Sequence, residues 1–135
     1  MKKVVYCILM ALSVGVFLLA SPQIASAKNG TTPTSLRGRW YHNARTQREV
    51  MVVKPHLIVY STYKKHTNHK VRADNYLNRD RLYSAYAGKG YWEVGLKESD
   101  AVSDFKPMKY HGKKILYQHL GFFGYGHRHI IWHHF

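Results

Sequence analysis

The last ten residues of the chain, "GHRHIIWHHF" from Gly126 to Phe135, put His127, His129, His133 and His134 around Trp132. As a strand, this stretch alternates its side chains, so His127, His129, Ile131, His133 and Phe135 share one face, and Arg128, Ile130, Trp132 and His134 the other. An H-x-H pair on a strand offers two neutral imidazole nitrogens, which zinc and copper both accept. Such an ion needs about three or four protein ligands. A third here has to come from His133, His119, His111 or an acidic residue on a neighbouring strand, which makes His127, His129 and His133 the candidate metal set. The same residues also read as the edge of a fold, with Ile130 and Trp132 turned into a core and the imidazoles on a rim or outer face. In that place they would gain positive charge below about pH 6 and tighten attachment to an anionic surface.

A second chemistry lies in the cations. "KKHTNHK" and "YHGKK" are the densest basic segments, and they make Lys64, Lys65, Lys70, Arg72, Lys113 and Lys114 the expected contacts for an anionic partner. Tyr60, Tyr63, Tyr76, Tyr83, Tyr86, Tyr91, Tyr110, Tyr117 and Tyr125 place rings among them. Rings between cations suit sugar stacking or single-stranded nucleic acid, and they equally suit packing across neighbouring strands. Catalysis has little to build on. There is no glycine-rich phosphate loop, nucleophile elbow or H-E-x-x-H motif, and the 7 acids are scattered. The expectation is a protein that binds rather than catalyses, without a cofactor.

These groups need elements to hold them. The chain opens with Lys2 and Lys3, an apolar run from Val4 to Ala20, Pro22, and the small-residue site Ala25-Ser26-Ala27. That is the pattern of a secretory signal peptide over residues 1–27, its helix cut off after Ala27. Cys7, the 1 cysteine, leaves with it, so the exported chain must hold together outside the cell without a disulfide. Without Lys2 and Lys3, the 21 Lys plus Arg become 19 against 7 Asp plus Glu, a net charge of +12. A surface so charged attracts polyanions, though charge selects only the sign of the partner.

Residues 28–35, "KNGTTPTS", show no apolar period and read as a flexible arm. A single domain follows over residues 36–135, rich in short Val, Ile, Tyr and Trp runs between turn residues. Strands are expected at Arg37 to Asn43, Arg48 to Lys54, His56 to Lys64, Arg81 to Ala87, Tyr91 to Lys97, Met108 to His111, Lys114 to Leu120 and His127 to His134. "AGKGYW" and "YHGKKI" read as hairpin turns in which glycine supplies positive φ. A helical turn is expected near Asn75 to Arg79, and one or two more between Glu98 and Pro107, capped by Ser99. "GFFGYG" before the last strand reads as a lid or a bulged turn. About seven or eight antiparallel strands in an all-β domain fit a small closed barrel, which leaves no exposed edge.

"SLRGRWYHN", from Ser35 to Asn43, resembles the opening of lipocalin-like and related small calycin barrels, whose first strand begins Gly-x-Trp, here Gly38-Arg39-Trp40. It is also similar to small secreted barrel proteins of lactic acid bacteria that begin their mature domain with such a phrase. The resemblance implies that Trp40 plugs one end of the barrel and that an arginine of the last strand, Arg128, packs over its ring.

Together these readings describe a secreted, monomeric, strongly basic barrel, retained near the cell surface by its charge. Its expected partner is a wall polymer, an acidic glycan, extracellular nucleic acid or a membrane surface. Two alternatives are an extracellular metal-binding protein using the histidine-rich terminal strand and a calycin-like carrier of a small apolar ligand.

Overall fold

The computed structural model describes residues 30–120 and 128–135. The expected signal peptide, "GFFGYG" and His127 lie outside them. The described chain is all-β. Its nine strands are β1 (Gly38–Asn43), β2 (Gln47–Lys54), β3 (Leu57–Lys64), β4 (Asn75–Asn78), β5 (Leu82–Gly88), β6 (Tyr91–Leu96), β7 (Val102–Tyr110), β8 (Lys113–Leu120) and β9 (His129–His134). They form one antiparallel sheet in the order β4-β3-β2-β1-β9-β8-β7-β6-β5. The terminal strand thus slots between β1 and β8, and the sheet curls into a nearly closed barrel with its seam between β4 and β5.

Alternation drives the curl. Residues directly opposite each other in a ladder point to the same side, and the inward set is apolar: Trp40, Met51, Val53, Ile58, Leu82, Val94, Phe105, Leu116 and Trp132 are all buried in one cluster. Each such side chain gains about 1.5–3 kcal/mol on leaving water. The closed end is filled without voids, since only about 10 Å³ of free space remains among Leu36, Met51, Val53, Ile58, Val94, Phe105 and Leu116. Leu36 arrives there from a short 3₁₀ turn, Thr34–Leu36, that precedes β1.

Both expected hairpins form. His111 and Gly112 join β7 to β8 with φ of 48° and 75°, the sign a type I′ turn requires at both positions. Gly88, Lys89 and Gly90 all have positive φ between β5 and β6. Pro55 follows the end of β2, leaving a two-residue turn with His56 before β3.

Four expectations are corrected. There are nine strands instead of seven or eight, because Asn75–Asn78 is strand β4 and not a helical turn. Leu77 turns inward opposite Ile58 and packs on the core, and an alternation of four residues is too short to read. Glu98 to Pro107 is not helical either. Ser99 does cap, but it accepts the Ala101 N–H at 3.0 Å in a tight turn, and β7 begins at Val102. Gly95 makes that turn possible, since a Cβ there would run into the Ala101 carbonyl oxygen. Pro107 is tolerated in β7 because it lies past Phe105, the last residue paired with β6.

The fourth correction concerns the arm. From Gly30 onward it is tied down. The Thr32 N–H donates to Pro55 O and its hydroxyl to Lys54 O, both at 2.8 Å. The Gly30 N–H donates to Leu82 O at 2.8 Å, and the Ser84 hydroxyl to Thr31 O at 2.6 Å. Thr32 is 1% exposed. Polar residues without a period are fixed here because their main-chain groups find partners.

Candidate functional site

One end of the barrel is packed and the other is open. Beyond the packed layer lies a cavity of about 760 Å³. Trp132, Ile130, Leu120 and Tyr60 form its apolar wall, and Glu49, Thr62, Arg72, Ser103, Gln118 and Asp100 bring polar groups to it. Gln118 is the fixed point. Although 7% exposed, its Oε1 accepts from Trp132 Nε1 at 2.7 Å and its Nε2 donates to Ser103 Oγ at 3.0 Å. Both ends of the amide are therefore satisfied, as burial demands. At the rim Arg72 Nε donates to Thr62 Oγ1 at 3.2 Å. Burial pushes the Tyr60 hydroxyl up to about 12, so the wall keeps a neutral phenol. An apolar wall with a few oriented polar groups can seat a small amphipathic molecule.

The six expected anion contacts do not form one surface. Lys64 ends β3, and Lys65, Lys70 and Arg72 follow it on the segment to β4, so these four share the open end. Lys113 and Lys114 begin β8, and the ladder places Ile115 opposite His133, next to the pairing of His134 with Trp40 at the other end of β1. The two lysines are thus at the closed end. Lys70 is also partly matched: its Nζ lies 2.8 Å from Asp74 Oδ2. The Lys70 ammonium, aided by the Ser61 hydroxyl, holds the Asp74 carboxyl below its usual range, and Asp74 in turn raises Lys70.

Of the candidate metal set, the described His129 and His133 are not brought together. His129 and His133 do share the outer face, but they are four positions apart, roughly 13 Å at about 3.3 Å per residue. His129 stacks on Tyr117 with ring centres 5.2 Å apart, and His133 tilts against Tyr41 at 5.5 Å. His119 is paired opposite His129, while His111 sits in the hairpin at the closed end. Among the described residues, no group of three His, Cys, Asp or Glu is placed to hold a metal ion. His127 lies outside those residues.

Trp40 is buried at the closed end, its Nε1 donating to Leu36 O at 2.9 Å. The residue over it is not Arg128. His134 is paired opposite Trp40 and meets its ring edge-on, with centres 4.9 Å apart and planes at 88°. Arg128 lies six residues earlier, roughly 20 Å away along the strand at about 3.3 Å per residue. Gly38 allows this arrangement: its φ is +144°, and a Cβ there would lie 2.9 Å from His134 Nε2.

The cavity's polar set escaped the sequence reading, although one signal was present. In "ILYQHL" a glutamine falls on the inward parity of β8, between Leu116 and Leu120. No protein-family model matches the chain, and neither a curated protein nor a solved structure is significantly similar to it.

Proposed function

We propose that the protein is a secreted, non-enzymatic binding barrel that attaches to anionic polymers of the cell envelope or the extracellular space. The observation that supports this most is the clustering of Lys64, Lys65, Lys70 and Arg72 on one segment at the open end, on a chain with a net charge of +14. Exposed charges of this kind act through long-range attraction and are screened within about 10 Å at 0.1 M salt. Polyphosphate or isolated wall polymer, immobilised on a matrix, provides the test. The protein should be retained at low salt and released by a few hundred millimolar on the order of the screening expected. Lys64→Ala with Lys65→Ala should elute earlier. Retention that ignores salt, or that ignores these two substitutions, refutes the reading.

A second reading, a calycin-like carrier, is favoured by the cavity of about 760 Å³, which falls within the range of about 300–1,000 Å³ common for small-ligand pockets. An apolar dye would bind there, quench Trp132 and stay bound in high salt. Trp132 emission unchanged by any such dye would count against a carrier.

A further inference from the structure

We infer that the outer face of β7, β8, β9 and β1 docks on an anionic phospholipid surface. This site uses none of the four open-end cations Lys64, Lys65, Lys70 and Arg72, although its cleft borders their segment at Thr67 and Asn68.

Ladder register lays the face out. Lys106, Tyr117 and Ile131 are paired across β7, β8 and β9. Met108, Ile115, His133 and Tyr41 form the next row, running on to β1. Phe135 continues β9 and donates its N–H to Arg39 O at 3.1 Å. The side chains in the middle are unusually bare: Met108 is 43% exposed, Ile131 39%, Phe135 52% and Tyr110 62%. Ile115, only 7% exposed, lies among them. Single exposed apolar residues are ordinary, but four on one face form a patch of the kind that marks an interaction surface.

Cations edge this patch and seat themselves on its rings. The Arg39 guanidinium stands 4.3 Å over Phe135, that of Arg48 5.8 Å over Tyr41, and the Lys106 ammonium 5.1 Å over Tyr91. Arg39 and Arg48 also flank a cleft of about 420 Å³ with Tyr63, Thr67, Asn68 and Phe135. Two guanidinium forks beside hydroxyl and amide donors suit a phosphate group. Asp104 and Glu93 are the acids on this side of the sheet, and both fall in the row of His119 and His129 at the edge of the patch.

The aliphatic side chains decide between a lipid surface and a soluble polyanion. Met108 and Ile131 present no π-face to a base or sugar and no hydrogen bond to a phosphate chain, so a soluble polymer leaves them where they are. At the headgroup boundary of a bilayer they leave water, tyrosines take up their preferred interfacial depth, and arginine and lysine reach outward to the phosphates.

Sedimentation with phosphatidylglycerol–phosphatidylcholine vesicles, with pure phosphatidylcholine vesicles as the second arm and soluble polyphosphate as the third, tests this. The secreted protein should co-sediment with the first and not the second. Met108→Ser with Ile131→Ser should weaken vesicle binding about tenfold while retention on polyphosphate and the melting temperature stay unchanged. Arg39→Ala with Arg48→Ala should weaken it comparably. Ile131→Trp, a gain-of-function variant, should bind anionic vesicles more tightly and emit at shorter wavelength when bound. Equal binding to neutral vesicles, or vesicle binding untouched by the Met108 and Ile131 substitutions, overturns the proposal. Loss of polyphosphate retention alone, on Lys64→Ala with Lys65→Ala, refers to the polymer reading and leaves this one standing.

Discussion

Replacing His134 by alanine tests the arrangement at the closed end, because it separates the observed partner of Trp40 from the one the Gly-x-Trp resemblance implies. The edge-on contact between the two rings is worth about 0.5–1.5 kcal/mol beyond the area it buries, toward the lower figure because His134 is exposed. For a domain of roughly 100 residues, 1 kcal/mol shifts the melting temperature by about 4–8 °C. His134→Ala should therefore lower it by roughly 3–8 °C, while Arg128→Ala, a surface change, should stay within about 0.5 kcal/mol. Gly38→Ala adds a second probe. Its cost combines strain at φ +144°, about 1–3 kcal/mol for a non-glycine residue there, with the approach of the new methyl to His134 Nε2 at 2.9 Å. Removing His134 relieves the second part only. The double variant should accordingly be more stable than the sum of the singles predicts by about 0.5–1 kcal/mol. Thermal or urea unfolding of the four proteins, followed by far-ultraviolet circular dichroism, gives the cycle. Strict additivity, or an Arg128→Ala loss as large as that of His134→Ala, would refute the packing described here.

Gly95→Ala should lower the urea midpoint sharply, by an amount equivalent to about 2 kcal/mol or more for an overpacked site, since the new methyl meets the Ala101 carbonyl and the Val102 Cα. Gln118→Leu keeps the size of the side chain but strips the Trp132 Nε1–H of its acceptor, and a loss of about 1–3 kcal/mol should appear in the same assay. Acid should loosen the segment between β3 and β4. The Asp74 carboxyl is held below its usual 3.8, so its contribution is full above that value and disappears as pH falls through the lower, folded one; Asp74→Asn should remove this dependence. At the alkaline end, the contribution of Tyr60 should be flat below pH 10 and turn unfavourable from 10 toward 12 as its buried phenol resists ionisation, so Tyr60→Phe should make the alkaline decline shallower.

Strands with several alternations were legible before the fold was. "YWEVGLK" places Trp92, Val94 and Leu96 inward as its period requires, and the glycines at 88, 90 and 112 mark their turns because positive φ has few other occupants. β4 was hidden by its length, since one inward apolar residue, Leu77, makes no period. The ordered arm was hidden for another reason: Thr32 is held by main-chain carbonyls of Lys54 and Pro55, and such acceptors leave no trace in composition. The open-end cluster was half visible, because neighbouring lysines in "KKHTNHK" stay together in space, whereas Lys113 and Lys114 are carried to the far end by a strand direction that charge cannot reveal. His129 and His133 are kept apart by their spacing along the strand: shared parity brings side chains to one face, but only adjacent ladder positions, such as those of His129 and His119, bring them close. Arg39, Arg48 and Lys106 escaped notice because they stand singly in sequence and meet only across strands.

Nine strands joined by eight ladders leave one joint of the wall unlaced. On one lip stands β4, only four residues long and held by β3 alone; on the other stands β5, which the strap from Gly30 to Ser35 ties back toward the turn after β2. The weaker lip should give first, so the amides of β4 should exchange with solvent ahead of every other strand's. Asn75 at its head borders the cavity. Each such opening therefore enlarges the doorway, and the girth of the vessel is set by its shortest stave.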